Sequence, residues 1–381
     1  MQYGYGAFAI AFLIRDIAKD RRMNEQTRAP LEERLNEKDE ARSAKRPRMT
    51  VTDLAAHLGL AHSTVSRALA GNSRISPETR ERVKRAAAEL GYVANAGART
   101  LRSGRSGIIG LVLPDIRNEF FAAVAQGLAD DCIHQKRQMV LALSSDDPGV
   151  EAEVVRSLLE SQVEGIVIAL SAKPHRETLS LLNQVYCVQF LRHHRALSQP
   201  VVTVDAAEGS RMATEHLLSL GHRKIGFVGL PSTTMAGAER LAGFREAFRQ
   251  AGVVHDADLV CIEAAGADAG YSQVAAFLRL PQPPTAIYLS AASFAPGGIL
   301  ALNEAGVRIP DDLSLVVTGS SPWYETWPGG LTSISLPLEE FAHAASAMIL
   351  KRRHEGPRSV QPFVKLNYQL VVRGSTRAVN P

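Results

Sequence analysis

Apolar positions along this chain follow two rhythms, and the change between them divides it. Between residues 51 and 90 they recur three or four apart in short stretches: Leu54, Ala55 and Leu58, then Val65 and Leu69, then Val83, Ala87 and Leu90. That spacing predicts three short helices, each with one inward face. Thr50 or Thr52 can cap the first, and Gly59 ends it before a tight turn at Leu60-Ala61. Gly71-Asn72 breaks the second. Ser76-Pro77 opens the third as cap and first-turn proline, and Gly91 closes it.

From residue 108 the rhythm becomes short, wholly apolar runs alternating with helical stretches. Strands are expected at 108–113, 139–143 and 165–170, with helices at 120–132, 150–159 and 177–182 between and after them. A second series is expected to open with a strand at 201–204 and to continue with strands at 224–228, 286–289 and 313–317. Its helices fall at 209–220, 239–250 and 298–305. Apolar strands alternating with helices predict parallel sheets covered on both faces. The expected fold is a small all-α helix-turn-helix head followed by an α/β body of two doubly wound parallel-sheet lobes. A ligand cleft is expected at the carboxyl ends of their strands.

The first 48 residues fit neither rhythm. Tyr3–Ile14 is apolar but too short to span a membrane, and lacks the basic start and cleavage site of a secretion signal. The charged stretch after it is nearly free of large apolar side chains beyond Leu35, so 1–48 is expected to be a disordered extension. Met23 and Met49 are alternative starts, and the ordered pattern begins at Met49. Charge sharpens the division. Residues 49–107 hold 9 Lys and Arg against 4 Asp and Glu, whereas 108–381 hold 23 against 27. A basic head on a mildly acidic body suits a polyanionic partner for the head alone. The 3 cysteines are far apart and form no metal knuckle or disulfide framework. With no apolar run of membrane-spanning length, a reducing cytoplasm is expected. No GxSxG, HExxH, phosphate-loop or GxGxxG-after-strand motif occurs. His193-His194 has no neighbouring carboxylate or cysteine, so no metal, no cofactor and no enzyme activity are expected.

The head also carries chemistry. In the second helix, Ser63, Thr64, Ser66 and Arg67 stand on outer faces. Short polar side chains let a helix backbone approach the major groove, and Arg67 can fork onto guanine. The spacing alone equally fits a generic three-helix bundle. The run VTDLAAHLGLAHSTVSRALAGNSRISPETRERVKRAAAELGYVANAGARTLRSGRS resembles the DNA-binding head and hinge of the lactose-repressor/galactose-repressor family of bacterial transcription regulators, with TVSRAL, SPETRERV, ELGY and ARTLRSGRS in order. The resemblance extends over residues 49–375. It implies base reading by His62 and Ser63 at the start of the recognition helix, with further contacts from Thr64, Ser66 and Arg67. Thr50, Asn72, Arg74 and Ser76 fall at backbone-touching positions. It implies a hinge helix within 95–107 that orders on DNA, with Asn95 and Ala98 among its contacts and Leu101 wedged into the minor groove. Ala61 departs from the family's usual serine cap.

For the body the resemblance implies a periplasmic-binding-protein-like fold, through VDAAEGSRMATEHLLSLGHRKIGFVG and ERLAGFREAF. Its effector positions fall on Asn118, Phe120, Phe121, Asp205, Arg240, Ser293 and Ser320. Phe121 equally reads as helix core, and Asp205 as a helix cap. Arg240 matches an arginine that grips a hydroxyl or carboxylate. The departures concern carboxylates: Ala292-Ser293 stands for Asn-Asp, and Thr318-Gly319-Ser320-Ser321 stands for Gly-Phe-Asp-Asp. A cleft poor in carboxylates points to an anionic effector, a sugar phosphate or sugar acid, with Arg240 as counter-charge. Trp323 and Trp327 either line the cleft or pack in the core.

The expected organisation is thus an extension (1–48), a helix-turn-helix domain (49–94), a hinge (95–107) and a two-lobed effector-binding and dimerisation domain (108–381). The expected protein is a cytoplasmic homodimeric repressor of a near-palindromic operator, controlled by a small-molecule effector. A constitutive DNA-binding regulator with a degenerate cleft, and a solute-binding protein, are the alternatives.

Overall fold

A computed structural model describes residues 49–92, 106–263, 265–350 and 362–379 of the 381. The expected extension 1–48 and the hinge positions Asn95, Ala98 and Leu101 lie outside the described residues. The described residues fall into two compact units, one on each side of residue 99.

The first unit holds helices α1 (Val51–Leu58), α2 (His62–Leu69) and α3 (Pro77–Glu89). Thr50 caps α1 in a reciprocal box: its hydroxyl accepts from the Asp53 amide, and Asp53 accepts from the Thr50 amide at 2.9 Å. Asp53 is thereby held below the usual carboxylate range, first by the Thr50 backbone N–H. Ser76 caps α3 and Pro77 fills its first position. Gly91 follows α3 with φ +63°, where the amides of Gly91 and Tyr92 close onto the Ala88 and Ala87 carbonyls. The core of this unit is Leu54, Ala55, Val65, Ala68, Val83, Ala86 and Ala87. The expected Leu69 and Leu90 pack only at its margin, where Ala68 and Ala86 allow closer contact between helices.

The second unit has two lobes. The first lobe's sheet has the order β11-β5-β4-β3-β1-β2. Its strands are β1 (Ile108–Leu113), β2 (Gln138–Leu143), β3 (Gly165–Ile168), β4 (Cys187–Phe190), β5 (Val201–Val204) and β11 (Phe363–Leu366), all parallel. Helices α4 (Glu119–His134), α5 (Pro148–Glu160), α6 (Arg176–Leu182) and α12 (Leu338–Leu350) belong to this lobe. The second sheet has the order β12-β10-β9-β8-β6-β7, from β6 (Ile225–Gly229), β7 (Val260–Ile262), β8 (Ala286–Leu289), β9 (Ser314–Thr318), β10 (Thr332–Ser335) and β12 (Gln369–Val371). Its helices are α7 (Ala206–Ser219), α8 (Met235–Gln250), α9 (Ala267–Leu278), α10 (Ala295–Glu304) and the short α11 (Trp323–Thr326). The chain passes between lobes after β5, after β10 and between β11 and β12.

Two details differ from the expected pattern. The strand at 201–204 does not open the second lobe; as β5 it joins the first sheet beside β4, a strand the apolar runs did not announce. Gln189 interrupts β4's apolar run, yet it is 1% exposed. Its amide nitrogen reaches the Leu197 and Gln199 carbonyls, and its oxygen takes the His194 amide at 2.7 Å. One buried glutamine thus supports the loop that carries β4 to β5 without a helix. The second difference is β12, which runs antiparallel to β10.

The helix pairs of the second lobe touch backbone to backbone. A Cβ on Gly243 of α8 would stand 1.9 Å from the Ala207 carbonyl of α7, and one on Gly297 of α10 would stand 1.7 Å from the Ala267 carbonyl of α9. Trp323 and Trp327 pack against this lobe's core. Among the described residues no helix is long and apolar enough to cross a membrane.

Candidate DNA-reading head and effector cleft

In the head, α2 presents its amino-terminal turn outward. His62, Ser63 and Arg67 are exposed, Thr64 and Ser66 half-buried, and Val65 and Ala68 hold the helix from beneath. A groove-reading helix needs this division. Ala61 supplies no side-chain cap, so the first amides of α2 are left without one. Such amides can receive a phosphate. Thr50 and Ser76 spend their hydroxyls as helix caps, and the Asn72 side-chain oxygen accepts the Arg74 amide at 2.9 Å. These residues shape the chain on either side of α2, and the exposed Arg74 guanidinium is left at the rim.

In the body, the sequence-derived effector positions divide into two groups. Phe120 and Phe121 are buried in an aromatic cluster of the first lobe. Phe120 stacks on Phe190 with centroids 5.7 Å apart, and Phe341 meets both edge-on. Asp205 caps α7, accepting the Glu208 amide at 3.0 Å, and pairs with Lys365 of β11 at 2.6 Å. Burial pushes its carboxyl up, but the Lys365 bond and the Glu208 amide outweigh that and leave it below the usual range. The Ser320 hydroxyl lies 2.8 Å from that of Ser335 and accepts the Leu336 amide at 2.7 Å, which fixes the second crossing between lobes. Phe120, Phe121, Asp205 and Ser320 therefore build the frame around the cleft.

Arg240, Asn118 and Ser293 form the other group. Arg240 is the sixth residue of α8, the helix that follows β6. Its guanidinium donates to the Tyr368 hydroxyl at 3.4 Å, on the segment joining β11 to β12. Burial opposes its charge, but the phenols of Tyr368 and Tyr288 and the carboxylate of Glu239 hold it more firmly protonated than usual. Among the described residues no carboxylate forms an ion pair with it. Glu239 is itself pushed up, first by burial and then by Asp205, while Lys365 and Arg240 pull it back. Asn118 caps α4 through its oxygen, taking the Phe120 amide at 3.1 Å, which leaves its NH2 to donate. Ser293 is half-buried in the 3-10 turn Ala292–Phe294, just past β8.

The sequence reading passed over Tyr368, Tyr288 and Lys365. Tyr368 is 4% exposed, and its ring fills the space left by Gly209, where a Cβ would stand 2.6 Å away. Tyr288 is 1% exposed, with its hydroxyl 2.8 Å from that of Thr318. The partners of both come from distant segments, so no local pattern marks them.

Comparison with known proteins fits this architecture. The family model for bacterial regulatory proteins of the lacI family matches residues 50–95, and the model for a periplasmic binding protein-like domain matches 214–376. The HTH-type transcriptional regulator DegA of Bacillus subtilis is 30% identical over 336 residues, covering 87% of this chain and 99% of its own. The chain belongs to the LacI family. It is a DNA-binding transcriptional regulator of that family, and its relatives are regulators too. The repressor CytR of Escherichia coli K12 is 27% identical over 346 residues, covering 87% of this chain and 97% of its own. The lac repressor dimer bound to operator and an anti-inducer superposes with TM-score 0.76 over 87% of this chain and 100% of its own, at 22% identity, a likeness of fold. CcpA of Lactococcus lactis superposes with TM-score 0.63 at 25% identity, over 71% of this chain and 99% of its own. Among the described residues of this LacI-family chain no group of three or more His, Cys, Asp and Glu could hold a metal ion.

Proposed function

We propose that this LacI-family regulator is a cytoplasmic repressor released from or fixed on its operator by an anionic small molecule, a sugar phosphate or sugar acid, held between the two lobes. The observation that carries the effector class is Arg240, a guanidinium among buried phenols with no carboxylate paired to it among the described residues. An anion supplies the missing counter-charge through two parallel hydrogen bonds. Asn118 and Ser293 add neutral contacts from either lobe. The operator-reading set is His62, Ser63, Thr64, Ser66 and Arg67, flanked by Thr50, Asn72, Arg74 and Ser76, with Asn95, Ala98 and Leu101 as hinge contacts.

The working form is a homodimer on a near-palindromic site, because a two-fold protein suits a two-fold operator. Leu141 and Leu143 on the edge strand β2, with Ile133 and Val150 at the adjoining helix ends, are 37–70% exposed and give an apolar strip for a second copy.

Thermal melting of the full chain against sugars, sugar phosphates and sugar acids tests the effector class. An anionic ligand at about a hundred times its Kd adds about 2.7 kcal/mol. Arg240→Met should abolish that shift. A neutral sugar whose stabilisation depends on Arg240 would reject the anionic reading. One observation favours a second reading, a constitutive regulator: Asp205, Ser320, Phe120 and Phe121 are all engaged within the protein. Silence of the whole panel, with operator affinity unchanged by any member, would select it.

A further inference from the structure

We propose that Glu164 and Arg137 are positioning residues for operator binding: together they fix the direction in which the chain leaves the body toward the hinge. The inference rests on the reading of 95–107 as that hinge. Both residues lie at the amino ends of the first sheet's parallel strands, the edge opposite to the cleft at their carboxyl ends.

The clamp is built where three neighbouring strands start. Gly107 precedes β1, Arg137 precedes β2 and Glu164 precedes β3, and the sheet order sets β1 between the other two. One Glu164 oxygen takes the Gly107 amide at 2.9 Å, and the other pairs with the Arg137 guanidinium. The Gly107 carbonyl takes the Gln138 amide at 2.8 Å. Arg137 is seated in turn by its own amide, which donates to the Cys132 carbonyl of α4 at 2.8 Å. The side chains of Arg137 and Glu164 are 23% and 17% exposed, so solvent ions screen their pairing less than at an open surface.

Gly107 is the joint that needs such a clamp. Its φ is +72°, and, chain neighbours aside, no described atom lies within 4 Å of where a Cβ would stand. Packing therefore does not hold this joint, and glycine leaves the backbone free to swing. The ladders of β1 with β2 and β3 are made by backbone groups and require neither side chain. The ion-paired carboxylate is spent instead on the junction between hinge and β1. A hinge that leaves the body at a set angle has less freedom to lose when it orders on DNA, which tightens specific binding.

The test uses the full chain and two duplexes, one selected by the parent chain from a random pool and one of random sequence. Glu164→Ala should weaken binding to the selected duplex about tenfold, as for the loss of one hydrogen bond, without weakening binding to the random one. Removing a negative charge would by itself tighten both, so the expected loss runs against simple electrostatics. Glu164→Gln keeps an oxygen for Gly107 but loses the Arg137 pair, and should fall between parent and Glu164→Ala. Arg137→Met added to Glu164→Ala should cost little more, since both act through one network. Hydrogen exchange in Glu164→Ala should quicken at the Gly107 amide, with β2 and β3 protected as in the parent chain. Protection lost across the lobe would mean general loosening and overturn the positioning role. Equal weakening on both duplexes, or unchanged binding to the selected one, would overturn it too. Leu101→Ala separates the two readings: selectivity lost there but kept in Glu164→Ala overturns the clamp alone, and selectivity kept in both overturns the hinge with it.

Discussion

Two arginines carry opposite kinds of work in this protein. Arg67 is exposed on α2, where its five donors face solvent and are open to a partner. Arg240 is set among phenols, where the fold holds its charge ready. For Arg67, the expectation is unequal damage. Arg67→Ala should weaken binding to the specific operator by about 1–3 kcal/mol more than binding to random duplex, if its fork reads a base edge. Gel-shift titration on both duplexes measures the two losses, and equal losses would assign Arg67 to phosphate alone. Arg67 faces outward whatever the rest of the body does, because Val65 and Ala68 fix α2's inner face. Phe121 could be read as core or ligand contact, and only the fold shows that its ring packs edge-on against Phe190 from β4.

At the scale of elements, caps and tail contacts set local stability. Ala61 leaves α2 without a side-chain cap, although its backbone is extended as a cap requires. Ala61→Ser should stabilise the head by about 0.5–2 kcal/mol, seen as a later unfolding transition of α2 and its neighbours in the intact chain. A transition that does not move would mean water already satisfies those amides.

The carboxyl-terminal segment is held differently. His222 is 3% exposed, with one ring nitrogen 2.9 Å from the Thr285 hydroxyl and the other 3.0 Å from Ser314 and 3.1 Å from the Arg377 carbonyl. Burial lowers its pKa from 6.5, and the charge of His216 adds to this, while the Arg377 carbonyl pulls the other way. The unfolded chain therefore takes up a proton before the folded one. The contribution is intact above the ordinary histidine pKa and is lost as pH falls through the folded value. Denaturant midpoints should drop between about pH 7 and about pH 5, and His222→Gln should flatten that drop. An unchanged slope would place the protons elsewhere, with the half-buried His216 next in line.

For the whole molecule, the first lobe ends in an edge strand whose outward leucines stay partly exposed among the described residues. Leu141 and Leu143 are each 39% exposed on β2, beside Ile133 at 70%. If the proposed homodimer uses this strip, Leu141→Lys should shift it from dimer to monomer in sedimentation and weaken operator binding with it, since the dimer is what would hold two half-sites together. A variant that stays dimeric would move the interface to another face.

Much of this protein is legible along the chain. Short-range periodicity and caps depend on neighbours a few residues apart, so α1, α2, α3 and the strand–helix alternation of both lobes could be read directly. The basic head, the outward Arg67 and the carboxylate-poor positions at Ser293 and Ser320 could be read too. The three-dimensional fold decided which lobe each strand joins: β5 went to the first sheet because Gln189 is buried and its loop replaces a helix. It also decided which polar groups remain unspent. Lys365 neutralises Asp205 across 160 residues, Ser335 and Leu336 occupy Ser320, and Tyr368 reaches Arg240 across 128. Local propensity is set by adjacent residues, but the pairing of charges and hydroxyls depends on which distant segments the closed chain brings within a few ångströms.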